Sequence, residues 1–176
     1  ENNSFGAGQV LSCPYPFFKG RLVLKEMLDS LALSLVDKGL VTNQIIVNVG
    51  YDIENTSSYS GEITTDRYGR KIPKQAHGTI NLDRFTSSSK LIREAVLKWY
   101  DNKTLTIRRV NISANHVVEE NIVKEKEMIQ QMDIFTDYEL LQKEEEKLKK
   151  DLEKEKRLQQ ATLQIKKKYG KNAVLK

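Results

Sequence analysis

Few side chains in this 176-residue chain are suited to covalent chemistry. His77 and His116 lie far apart, and neither sits at metal-ligand spacing from another His or Cys. Cys13 is alone, which excludes an internal disulfide and a multi-cysteine metal site and fits a reducing cytosol. There is no glycine-rich phosphate loop and no G-x-S-x-G elbow. Carboxylates abound, but most are interleaved with Lys in the last third, where charge pairs at helical spacing account for them. Catalysis by this chain alone is not expected.

What the residues offer instead is contact with anions. Arg67, Arg70, Lys71, Lys74 and Arg84 fall in one stretch that holds a single acid, Asp83. Arg108 and Arg109 follow in a later apolar run. Such groups neutralise phosphates, release counterions and add affinity without reading base sequence. Any one of them can equally be a solvated surface charge, and the net charge of +5 favours an anionic partner only weakly. A second feature is apolar. In "EMIQQMDIFTDYELLQ", Met132, Ile134 and Phe135 sit in the middle of a charged tail, and something must cover them.

The elements that would position these groups can be read from periodicity. Gly8–Ser12 is a short strand candidate stopped by Pro14 and Pro16. Leu24, Leu28, Leu31 and Leu35 mark one face of a helix over Phe17–Lys38, with Gly39 as its cap. Gln44–Gly50 is a strand with Ile45, Val47 and Val49 on one face and Asn48 on the other. The polar stretch from Glu54 to Gln75 is a hairpin or mobile loop, given Gly61 and Tyr68-Gly69. His77–Phe85 is a third strand, with Ile80 and Leu82 opposed to Thr79, Asn81 and Asp83. Ser87–Ser89 offer caps to a second helix carrying Ile92, Ala95, Val96 and Trp99. Thr104–Ser113 is the last strand, and the change of apolar parity across Arg108 and Arg109 predicts a bulge that turns one of them outward.

The order is βαββαβ: an α+β, two-layer unit with a four-stranded sheet, two helices on one face and a polar face left bare. Such a face can be merely solvated or can be the working surface. The unit runs over residues 4–120, a linker over 121–138, and a charged helical tail over 139–176. In that tail Leu141, Leu148 and Leu152 hint at a seam that Glu145, Glu155 and Gln159 spoil. The expectation is a solvated helix or a partly disordered tail. No apolar run is long enough for a membrane span.

The chain resembles a known family. "GQVLSCPYPFFKGRLVLKEMLDSLALSLVDKGLVTNQIIVNVGYD" looks like the start of the little-finger domain of Y-family, UmuC/DinB-type lesion-bypass DNA polymerases. "HGTINLDRFTSSSKLIREAV" resembles the following strand and helix, "TIRRVNISANHV" the final strand, and "IKKKYGKNAVLK" an ending common among UmuC-like proteins of Gram-positive bacteria. The resemblance implies a βαββαβ domain whose sheet lies in or across the major groove of primer–template DNA, in a cytoplasmic, nucleoid-associated protein. It also implies a palm elsewhere, whose carboxylates would bind Mg²⁺ for nucleotidyl transfer. Nothing here matches that pattern, so the chain reads as a fragment with no cofactor of its own. The Ile53–Ala76 loop is longer than in other branches, so "DRYGRK" either extends the DNA grip or merely decorates the edge.

The same family attaches to the bacterial sliding clamp through a peptide resembling Q-L-[S/D]-L-F. Gln131, Met132, Asp133, Ile134 and Phe135 match it, with Met and Ile in the Leu places. An extended peptide of this kind sets its Gln amide against backbone groups while its aliphatic–aromatic pair fills a pocket. The alternative is that Ile134 and Phe135 pack back onto the domain helices. Two other functions fit the residues as well: an RNA-binding or ribosome-associated α/β module, or a structural protein that dimerises through the tail.

Overall fold

The computed structural model describes residues 4–133 and 139–174. In chain order the elements are β1 (Phe5–Tyr15), α1 (Phe17–Asp37), β2 (Leu40–Tyr51), a 3₁₀ turn (Ile53–Ser57), β3 (Ile63–Thr65) and β4 (Lys71–Pro73). Then come β5 (Ala76–Thr86), α2 (Ser89–Tyr100), β6 (Ile107–Asn115), β7 (Val118–Glu119), α3 (Glu120–Asp133) and α4 (Glu139–Tyr169).

The four long strands are ordered β1-β6-β2-β5, every neighbouring pair antiparallel. With α1 and α2 they give the expected βαββαβ order and the α+β class. Each helix carries the chain between two parallel strands that hold a third between them, a split βαβ arrangement. Beyond the four-stranded expectation, β7 adds a short rung beside Leu40 and Val41 of β2, and β3 and β4 form a separate hairpin.

Alternation fixes which face is buried. Ile45, Val47 and Val49 of β2 and Val110, Ile112 and Ala114 of β6 lie at 3% exposure or less, against Leu24, Leu28, Leu31 and Leu35 of α1 and Ile92 and Val96 of α2. Each of these Val, Ile and Leu side chains contributes about 1.5–3 kcal/mol on leaving water. Helix α1 stops where Gly39 takes φ +65, a conformation without penalty only for glycine. Helix α2 starts at Ser88, whose hydroxyl accepts from Leu91 N at 3.1 Å. The two helices are tied by Arg93 to Asp29 (3.2 Å) and by Arg21, bidentate to Asp101 at 2.6 and 3.1 Å. Tyr100 is fully buried, stacked on Phe17 at 5.0 Å, and donates to the Phe17 carbonyl at 3.1 Å; burial pushes its phenol up to about 12.

Three expectations about extent need correcting. Strand β2 starts at Leu40, four residues before Gln44. Strand β1 does not end before Pro14 but continues to Tyr15. It is an edge strand, and its pairing with β6 slips between Val10 and Tyr15, so Pro14 falls where no ladder donor is required. The last strand begins at Ile107, because Asn55 of the 3₁₀ turn captures Thr106, its amide donating to Thr106 O at 2.8 Å and its oxygen accepting from Thr106 N at 3.0 Å.

The tail is the larger correction. Helix α4 is docked, not free, and it docks through two of the three residues that spoil its apolar seam, Glu155 and Gln159. The Glu155 carboxylate accepts from Ser88 Oγ and from Lys90 N (2.9 Å), sitting on the N-terminus of α2, where unpaired amides favour an anion. Gln159, 5% exposed, donates to the Ser87 carbonyl at 3.0 Å. Lys156 bridges Ser87 Oγ (3.1 Å) and Glu120 (2.6 Å), and Lys167 pairs with Asp37. Among the described residues, no helix is long and apolar enough to cross a membrane.

Candidate nucleic-acid interface

The sheet face opposite the helices is built by the other parity of the same strands. The ladder places Asn48 beside Asn111 and His77, Ile46 beside Ser113 and Thr79, and Gln44 beside Asn115 and Asn81. These side chains join across strands. Gln44 Nε2 donates to Asn81 Oδ1 at 2.9 Å, Asn115 Nδ2 donates to Gln44 Oε1 at 3.3 Å, and His77 Nδ1 is 2.7 Å from Asn48 Oδ1. On β1 the matching positions are Gly6 and Gly8, and a Cβ at Gly8 would collide with the Asn111 side chain lying over it. The result is a mainly polar surface of amides, hydroxyls and the His77 imidazole around Ile46. At about 4.8 Å between strands it is about 14 Å across, close to the ~12 Å width of a B-DNA major groove.

The cations are not one patch. The bulge is present: Gly50 pairs with Arg109 and Tyr51 with Ile107, leaving Arg108 as the extra residue. Arg109 takes outer-face parity opposite Gly50 and is exposed; Arg108 is half-buried. The β3–β4 hairpin stands at this same end of the sheet. It packs on the 3₁₀ turn that follows β2, with Thr56 Oγ1 donating to Lys71 O at 3.2 Å, and Lys74 leads into the start of β5. Arg67, Arg70, Lys71 and Lys74 are therefore at the end that carries Arg108 and Arg109.

Arg84 is not. It lies near the far end of β5, whose Thr86 pairs with Thr42, and lines a cleft with Glu120, Lys124 and Lys156 between α3 and α4. The expected cluster Arg67–Arg84 is split because β5 is eleven residues long, about 35 Å end to end.

Two of the hairpin cations are also partly spent. Arg70 pairs with Asp66 at 2.7 Å and Lys74 with Glu62 at 2.9 Å, acids just outside the stretch in which Asp83 was the sole carboxylate. The backbone N–H of Arg70 foremost, then its side chain and the amide of Tyr68, hold the Asp66 carboxyl below its ordinary range. Among the described residues, Arg67, Lys71, Arg108 and Arg109 make no ion pair.

Of the candidate clamp peptide, Gln131, Met132 and Asp133 form the last residues of α3, in helical and not extended backbone, as their run of Glu, Lys, Met and Gln favours. Ile134 and Phe135 lie outside the described residues. Asn111, Ser113 and Asn115 were missed as members of the polar face, although their period-two alternation with Val110, Ile112 and Ala114 carries the signal.

No family model matches the sequence, and no curated protein matches it. Among solved structures, the chain is similar to one from a "Complex of beta-clamp processivity factor and little finger domain of PolIV", at 12% identity and a TM-score of 0.41, covering 64% of this chain and 86% of that one.

Proposed function

We propose that this chain is a non-catalytic DNA-gripping and clamp-binding module, the little finger and tail of an error-prone lesion-bypass DNA polymerase. The observation that carries the DNA half is the uncovered, hydrogen-bonded polar sheet face with Arg108, Arg109 and the hairpin cations at one end. Cations at an edge hold phosphates, and a face whose amides are satisfied by each other tolerates any base sequence. The clamp half rests on the match of residues 131–135 to the clamp-binding pattern. In this reading the Mg²⁺-dependent chemistry belongs to a palm domain outside these residues.

Titrating primer–template DNA at several salt concentrations tests the grip. Arg108→Ala with Arg109→Ala is expected to weaken binding equally for unrelated sequences and to lower the slope of log K against log salt by about 1–2, at about 0.9 per phosphate contact. An unchanged slope, or a preference for structured RNA over duplex DNA at fixed salt, would overturn it. Binding to a bacterial sliding clamp should be lost in Gln131→Ala with Phe135→Ala, and unimpaired binding would remove the peptide assignment.

A further inference from the structure

The hairpin "DRYGRK" is built more rigidly than an edge decoration requires. Asp66 organises it: one carboxylate oxygen accepts from Tyr68 N at 2.8 Å and Arg70 N at 2.9 Å, the other from Arg70 Nε at 2.8 Å. Asp66 N donates to Arg70 O at 2.9 Å and Gly69 N to Asp66 O at 3.0 Å, with Gly69 at φ +78. This fixed turn presents an aromatic ring outward. Tyr68 is 68% exposed, yet the guanidinium carbons of Arg67 and Arg70 lie 4.8 and 5.3 Å from its ring centroid.

A lone surface tyrosine needs no explanation. A tyrosine held on a pinned turn with two cations on its ring is different, because the ordering cost of a contact is already met in the free protein. The ligand that uses both parts has a π-face with an anion one bond system away. A nucleotide has that form. An acidic peptide would leave the ring idle, and a continuous duplex hides its base faces in the stack. Single-stranded nucleic acid exposes them, and aromatic rings and guanidinium planes are what such bases stack on.

We propose that the β3–β4 tip is a base-stacking platform on which Tyr68 takes an unstacked nucleobase of a single-stranded segment adjoining the duplex, while Arg67 holds a flanking phosphate and Arg70, bound to Asp66, keeps the turn in place. The proposal rests on the nucleic-acid reading above and extends it to a strand the sheet face does not touch. Its placement at the Arg108–Arg109 end of the sheet puts the platform beside the duplex grip.

The test uses the full chain with a blunt duplex and the same duplex carrying a short single-stranded overhang, with 2-aminopurine among the unpaired bases. The wild type should bind the overhang substrate more tightly and quench the probe. Tyr68→Ala should lose that advantage, roughly five- to hundred-fold on the scale of one base–aromatic stack, while blunt-duplex affinity stays unchanged. Tyr68→Phe should keep both the preference and the quench, since the hydroxyl plays no part. Equal wild-type affinity for the two substrates, or an overhang preference that survives Tyr68→Ala, overturns the proposal while leaving the sheet grip standing. Absence of binding to either substrate removes the underlying reading as well.

Discussion

At Gly20 the chain has no room for a methyl group. A Cβ there would lie 2.5 Å from Tyr100 Oη and would collide with Ile107 Cδ1. Neither neighbour can yield easily: Tyr100 is bonded to the Phe17 carbonyl and stacked on its ring, and Ile107 is fully buried. Gly20→Ala raises helix propensity by about 1 kcal/mol, but overpacking of this kind costs about 1–3 kcal/mol. The expected outcome is a lower urea midpoint with an unchanged m-value; a midpoint at or above the wild-type value would mean that α1 lifts off the sheet at little cost. The residue scale also shows what the sequence conceals about charge. Counting Arg and Lys against the one acid inside Arg67–Arg84 overstates the free cations, because Asp66 and Glu62, just outside the window, reach back to Arg70 and Lys74.

Among the elements, α4 behaves as a polar latch. Its docking side is Glu155, Lys156, Gln159 and Thr162, while Leu158 and Ile165 stay 68% and 42% exposed. Glu155→Ala removes the anion that takes Ser88 Oγ and Lys90 N, two charge-assisted bonds of about 1.5–3 kcal/mol each. Hydrogen exchange should then quicken in α4 and at the start of α2 and remain slow in β2 and β6; uniform quickening would mean that the latch is part of the core. Acid should have a similar effect through Glu120. Its burial alone would raise the carboxyl, but hydrogen bonds and charge from Lys156 and Lys124 prevail and hold it below 4.5. A carboxyl depressed in the folded state contributes stability above its ordinary value and loses it as pH falls through the folded one. Release of α4 should therefore steepen below pH 4.5 in the wild type and be flatter in Glu120→Gln. The elements also divide cleanly in what could be foreseen. Helix α1 and strands β2 and β5 were legible, because a buried face prints its period of 3.6 or 2 on the residues. The docking of α4 was not, since an apolar-seam criterion scores Glu155 and Gln159 as defects and cannot see that they reach the start of α2, 67 residues earlier in the chain at Ser88. The split of Arg84 from the other cations was equally hidden, being set by strand length and direction and not by proximity in sequence.

For the molecule as a whole, the buried apolar core draws on α1, α2 and the long strands and, among the described residues, includes none of α4. A chain cut after Tyr138 should accordingly keep a cooperative thermal transition with a modestly lower midpoint, and loss of the transition would show that the latch is required for folding. The strand order carries a consequence for how that core is reached. Strand β6 lies between β1 and β2, so Phe5 finds its partner only at Ala114. Closing a loop of that length costs about 4 kcal/mol in chain entropy before any rung forms, whereas β2 and β5 meet across a much shorter connection. The kinetic reading is a sheet that grows outward from β2, with folding slowed by its long-range pairing. Strand β1 would be the last of the sheet to find its place, and conservative substitutions along it should change the unfolding rate while leaving the folding rate nearly untouched.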